Sequence, residues 1–190
     1  MDLKSLHNRI EIIEGDITTL DVYCIVNAAN NSLLGGGGLD GAIHRAAGHQ
    51  LLEECKAIGN CPTGESKLTN GYHLPAKYII HTVGPIWRGG KKNEPDFLNK
   101  CYENCLKIAS EHQFSSIAFP AISTGIYRYP IEDATQIALN TAVYFLDQKK
   151  FPEKVIFVCY SKEIFEIYMN QLTTLFATLK AQIQHTNQIL

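Results

Sequence analysis

Two small-residue loops carry the groups best suited to chemistry. Gly35, Gly36, Gly37 and Gly38 stand in a row, and ordering four glycines costs backbone entropy that folding alone rarely requires. A backbone without side chains can approach a ligand closely. The helix expected from Leu39 aims its free N–H groups and its dipole at this loop. That is a phosphate cradle; the plainer reading is a flexible connector. The second loop, Ser123-Thr124-Gly125-Ile126, precedes a helix opened by Pro130 and offers more N–H groups for anions. On adjacent strands the two loops can hold a diphosphate from both sides. The alternative for the second loop is an ordinary strand-to-helix turn.

Gly36-x-Gly38-x-x-Gly41 also fits the dinucleotide fingerprint. That fingerprint needs an acidic residue about 20 positions on, at the end of a second strand. Here the region Cys55 to Gly64 follows a short helix and holds no such strand. A dinucleotide oxidoreductase is therefore a minor alternative.

The elements that must position these loops alternate along the chain. Strands are expected over 9–14, 23–28, 66–74, 78–83, 116–122 and 155–160. Helices are expected over 39–47, 51–58, 97–112 and 130–146, with a long terminal helix capped by Ser161. Residues 89–95 read as a polar loop. The alternation implies helices on both faces of a mostly parallel sheet. Ligands in such sheets sit at the carboxyl ends of the strands. The groups found there are Asp16, Asn27 to Asn30 with the glycine run, Thr82 to Pro85, Ser123 to Tyr127, and Tyr160.

Composition narrows the classes. The 190 residues suit one domain, with a polar tail from about Ala181 that is free to fray. A net charge of -2 lacks the basic footprint of a protein that grips nucleic acid by charge, so no nucleic-acid partner is expected. Met1 to Arg9 has no apolar core, and no stretch approaches the ~20 apolar residues of a membrane span. A monomeric cytoplasmic protein is expected. Six cysteines form no CxxC pair, and no histidine completes a zinc-finger spacing. Cys24 and Cys159 lie in apolar strand runs, where a reduced thiol packs as a small hydrophobe. No metal and no cofactor are expected.

Several segments together resemble the MacroD-type macrodomains. They are Gly15-Asp16-Ile17-Thr18, Asn27-Ala28-Ala29-Asn30, Leu33 through His44, Thr82-Val83-Gly84-Pro85, and Phe119 through Pro130. The likeness spans about Arg9 to Tyr168. The glycine run with Asp40 and His44 resembles the hydrolytic branch of that family. The resemblance implies an α/β fold, a three-layer α/β/α sandwich around a six-stranded mixed sheet, with ADP-ribose in a cleft at the strand ends. It assigns Asp16 to the adenine amino group and Ile17 to a neighbouring backbone contact. It gives the diphosphate and distal ribose to Gly35–Gly38 and to Ser123, Thr124, Gly125, Ile126 and Tyr127. Asn27, Leu39 and His44 join the ligand-binding set, and Tyr160 lies near adenine. Asn30 and Asp40 would carry catalysis. Two positions depart from the pattern: Tyr127 stands where phenylalanine is common, and Arg128 where glycine often stands. The glycine run with paired glutamates that marks poly-ADP-ribose glycohydrolases is absent.

The implied reaction is hydrolysis of an ester at the distal ribose, in O-acetyl-ADP-ribose or in proteins mono-ADP-ribosylated on Asp or Glu. Asp40 can take a proton from the attacking water, or orient that water while a substrate phosphate acts as base. Near a helix start the dipole should keep it ionised. Asn30 offers a donor and an acceptor to a ribose hydroxyl; its ordinary use is to bond its own loop. His44, one turn beyond Asp40, has a structural or orienting role. Tyr127 and Tyr160 either face ligand or pack in the core. The rival from another class is a non-catalytic reader of ADP-ribose.

Overall fold

A computed structural model describes residues 2–189, with side chains through His185. Six strands form one sheet: β1 (Ile10–Glu14), β2 (Cys24–Ala28), β3 (Ser66–Asn70), β4 (Tyr78–Thr82), β5 (Ser116–Pro120) and β6 (Lys154–Cys159). Their spatial order is β1-β6-β5-β2-β4-β3. All neighbours are parallel except β3 and β4. This is the six-stranded mixed sheet expected above. The carboxyl ends of the five parallel strands share one rim.

Side-chain alternation along each strand divides two apolar layers. Val26, Ile80, Phe119 and Phe157 face one side. That side is covered by α1 (Leu3–Asn8), α4 (Glu94–Glu111), α5 (Ile131–Gln148) and α6 (Lys162–Ile189). Ile25, Ile79, Ala118 and Ile156 face the other. There α2 (Gly38–Ala47) and α3 (His49–Ile58) pack, with the 3-10 turn Ile17–Thr19. Both faces of the sheet are therefore dry, as parallel strands require.

The differences from expectation have local causes. β3 stops at Asn70, because Gly71 turns the chain back: its N–H donates to the Lys77 carbonyl at 2.8 Å. A β-carbon on Gly71 would lie 1.9 Å from the Ala76 carbonyl oxygen, so the turn requires glycine. α4 begins at Glu94 rather than Phe97, with Pro95 in its first turn, where a missing N–H costs nothing. Pro130 is the N-cap of α5 rather than its first residue. The tail from Ala181 continues as helix to Ile189. All six cysteines are free and buried. Burial raises every one of their pKa values, that of Cys55 to about 11 and that of Cys159 to about 12.

Far from the rim, Arg9 ties the end of α5 to β6. Its guanidinium donates to the carbonyls of Leu146, Lys149, Lys150, Pro152 and Glu153 at 2.6–3.2 Å. A cation is well placed there, where a helix leaves its last carbonyls unpaired.

Candidate active site

β2 and β5 are paired neighbours, so the loops that follow them face each other. A β-carbon on Gly37 would lie 3.9 Å from Ile126 Cδ1. The glycine run carries the backbone into α2, whose N-cap is Gly37, with no side-chain cap. Gly35 and Gly38 have φ of +81° and +57°, conformations that glycine adopts without strain. In the second loop Ser123 is buried with φ +67°, and its hydroxyl has no hydrogen-bond partner. It packs on Gly84, where a β-carbon would lie 2.1 Å from Ser123 Oγ. The segment Thr82 to Pro85 thus backs the second loop.

Asp40 lies in the first turn of α2 and is only 6% exposed. Asn27 Nδ2 donates to its Oδ1 at 2.7 Å, and Asn30 Nδ2 to its Oδ2 at 3.3 Å. His44 Nε2, one turn on, lies 3.6 Å from Oδ1 and has no hydrogen-bond partner of its own. A β-carbon on Gly36 would lie 3.2 Å from both Asn30 Nδ2 and Asp40 Oδ2. The glycine run therefore passes directly over the carboxylate.

Burial raises the pKa of Asp40, against the hydrogen bond from Asn27 and the proximity of His44. The expectation that the helix dipole governs this group is corrected here. Loss of solvent outweighs the lowering influences, which makes the carboxylate a stronger base than an exposed aspartate. His44 is likewise mostly buried.

Asn30 serves its own loop as well as Asp40. Its Nδ2 donates to the Gly35 carbonyl at 2.8 Å, and its Oδ1 accepts from Ser32 N at 3.0 Å and from Ser32 Oγ. The own-loop reading of this residue holds, and the same amide reaches Asp40. Asp16 is also divided. Its Oδ1 accepts from Thr18 N and Thr18 Oγ1 at 2.9 and 2.8 Å, capping the Ile17–Thr19 turn; among the described residues no hydrogen bond engages Oδ2, and the residue is exposed. Ile17 is buried. Leu39 packs partly into the α2–α3 layer. Tyr160 is 89% exposed at the rim, which removes the core-packing alternative. Tyr127 is half-buried, and its carbonyl accepts from Trp87 N at 2.9 Å. Arg128 has φ +56°, which explains why glycine suits that position.

Sequence reasoning missed His81, Thr69 and Glu94. Glu94 is buried in what reads as a polar loop. Burial opposes its charge, but backbone N–H groups of Arg88, Gly90 and Lys92 donate to it, and its pKa is lowered. Its carboxylate shapes the loop joined to Tyr127 through Trp87. His81 is fully buried behind Asn27, its partner across β2 and β4. A histidine inside the apolar run 78–83 was the available signal.

Three ligand-type side chains meet behind the site. His44, Cys55 and His81, remote in sequence, bring ligand-type atoms within 4.8 Å of one another. Both ring nitrogens of His81 are already engaged, Nδ1 by Asn27 at 3.1 Å and Nε2 by Thr69 Oγ1 at 2.9 Å.

The fold and this rim match a known class. Residues 26–138 match the family model of the Macro domain, and the chain belongs to that family. It is 58% identical over 156 residues to a macro domain-containing protein of Methanosarcina mazei, covering 82% of this chain and 83% of that one. It is 52% identical over 169 residues to the O-acetyl-ADP-ribose deacetylase of Enterobacter cloacae, covering 87% and 94%. A mutant Oceanobacillus iheyensis macrodomain with ADPR superposes with a TM-score of 0.85 at 44% identity, over 88% of this chain and 94% of that one. Among the described residues no helix is long and apolar enough to cross a membrane.

Proposed function

We propose that this protein binds ADP-ribose and hydrolyses ADP-ribosyl esters, both O-acetyl-ADP-ribose and mono-ADP-ribosylated Asp or Glu on proteins. The observation that carries the reading is the buried Asp40 carboxylate directly beneath a glycine loop that faces a second loop across the cleft. The solved relative with ADPR and the relatives named O-acetyl-ADP-ribose deacetylase support the same ligand. The uncapped start of α2 offers N–H groups to the diphosphate. Asp16 Oδ2 accepts from the adenine amino group, and Tyr127 and Tyr160 lie against the distal ribose and adenine.

In the reaction, water adds to the acyl carbon of the ester. The acyl–oxygen bond breaks, and the ribose oxygen leaves as a hydroxyl after gaining a proton. Asp40 directs the water and has the basicity to accept its proton; a substrate phosphate is the competing base. Asn30 contacts the distal ribose. No step requires a metal or a cofactor.

The test mixes the protein with O-acetyl-ADP-ribose, and separately with an automodified ADP-ribosyltransferase, in single turnover with and without EDTA. Calorimetry should give micromolar affinity for ADP-ribose, about -8 kcal/mol, and far weaker binding of adenosine. Release from both esters, unaffected by EDTA, is the expected result. Tight binding without release from any ester would make the protein a reader of ADP-ribose instead.

A further inference from the structure

Beneath Asp40 lies a closed chain of buried polar groups. Asn27, His81 and Thr69 are each no more than 2% exposed. Asn27 and His81 are direct cross-strand partners on β2 and β4, so their side chains leave the same face of the sheet. The Asn27 amide nitrogen meets Asp40 Oδ1 at 2.7 Å and His81 Nδ1 at 3.1 Å. Thr69 Oγ1 lies 2.9 Å from the opposite ring nitrogen.

These contacts determine one another. An amide nitrogen donates and cannot accept, so His81 Nδ1 must be the acceptor. A neutral ring then carries its proton on Nε2 and donates it to Thr69. Burial holds the ring neutral, lowering its pKa to about 3. With the proton on Nδ1 instead, the Asn27 amide would have to turn over. Its carbonyl oxygen would then face a carboxylate oxygen at hydrogen-bond distance, which is tolerable only when Asp40 is protonated. The orientation seen leaves Asn27 Oδ1 buried without a partner. Two acceptors hold the amide against that cost, the Asp40 carboxylate on one N–H and the imidazole lone pair on the other.

We propose that His81 is a positioning residue for Asp40: its Nδ1 holds the Asn27 amide with both N–H groups outward, and Thr69 holds the ring in place by accepting from its Nε2 N–H. The proposal rests on the reading of Asp40 as the group that directs water. The other titratable groups facing Asp40 are His44 on its own helix and Cys55 from α3. The Ile17–Thr19 turn contributes none, and the Asp16 carboxylate is bonded to Thr18.

Three variants and two readouts test it. His81→Phe keeps a ring but removes the acceptor. His81→Gln restores an acceptor, and Thr69→Val removes only the hydroxyl that accepts from the ring Nε2 N–H. His81→Phe should lower kcat on O-acetyl-ADP-ribose about 10- to 100-fold, as small misplacements of a reacting group do, with little change in ADP-ribose affinity. The acidic limb of its pH–kcat profile should move up by about one to two units, because Asp40 loses a charge-assisted donor. His81→Gln should recover most of both, and Thr69→Val should shift the limb the same way by less. The second readout is independent of activity. Ring nitrogen shifts in the wild-type NMR spectrum should show His81 neutral and protonated on Nε2 at neutral pH. The Asp40 carboxyl carbon should titrate higher in His81→Phe, or in Thr69→Val if the phenylalanine variant does not fold. A wild-type ring protonated on Nδ1, or an Asp40 titration indifferent to both variants, overturns the proposal. Absence of ester hydrolysis in the wild type overturns the functional reading alone, since the titration would still report on the contact.

Discussion

A β-carbon on Gly41 would lie 2.3 Å from the carbonyl oxygen of Gly36. No rotamer relieves a clash between a β-carbon and a backbone oxygen. Gly41 is therefore what lets the glycine run lie down on α2, with Gly36 over Asp40. Gly41→Ala must push the run away from the helix. It should cost about 1–3 kcal/mol of stability, as overpacking does, and weaken ADP-ribose binding. Thermal unfolding and calorimetry on the same sample check this; a variant unchanged in both would show the contact to be slack.

Asp40→Asn removes the charge and keeps the shape. Turnover should fall by about 10²–10⁴-fold, the range for positioned acid–base groups, with ADP-ribose affinity far less affected. Wild-type kcat should fall as pH drops through the Asp40 pKa, which burial raises from the ordinary aspartate value.

The same shift makes a stability prediction of opposite sign. Asp40 binds its proton more readily folded than unfolded. Its charged form therefore costs stability at neutral pH, and the cost fades as pH falls through the folded pKa toward the unfolded value. Asp40→Asn also turns an amino group on one of the Asn27 and Asn30 donors, so the readout is the change with pH: any advantage of the variant over wild type should be largest at pH 7, with the gap narrowing in acid. A gap that instead widens in acid contradicts the direction of the shift.

Asp16 can be tested for its two roles separately. Asp16→Ala loses the cap on the Ile17–Thr19 turn, worth about 0.5–2 kcal/mol, together with any adenine contact. Asp16→Asn can keep an oxygen on Thr18 but presents an amino group where Oδ2 now stands. ADP-ribose affinity should fall by about 1–3 kcal/mol in both variants, as for a hydrogen bond to a charged group, while only the alanine variant should lose melting temperature. An analogue without the adenine amino group that binds wild type as well as ADP-ribose would remove Asp16 from recognition.

Arg9 gives a control remote from the cleft. Its fork of donors meets five carbonyls, and lysine cannot reproduce that geometry. Arg9→Lys should destabilise the protein by about 1.5–3 kcal/mol, at roughly 2–4 °C of melting temperature per kcal/mol. Turnover per folded molecule should be unchanged.

The strand ends and both loops were legible because the apolar runs and glycines mark them locally. Six strands fell near their places, with β3 drawn too long because Gly71 reads as one more strand residue until its turn is seen. The short α1 was missed, since six residues give little periodicity. The start of α4 was missed because Pro95 reads as a breaker as readily as a first-turn residue. At the site, residue identities were legible but surroundings were not. Asp40 sits beside a helix dipole in the sequence, yet its burial depends on the glycine run folding over it. His81 shows in the sequence only as a histidine in an apolar run, because its contact with Asn27 exists only through the pairing of β2 with β4.

The cysteines have a practical consequence. All six are enclosed and held in the thiol form near neutral pH, and it is the exposed thiolate that reacts. To a maleimide in solution the folded protein should look like one with no cysteine at all. One cysteine introduced at exposed Ile126 or Tyr160 would then accept a single fluorophore at the mouth of the cleft without first removing the native six. Occupancy of the cleft could be followed in real time, and the sudden reactivity of the native thiols would mark unfolding.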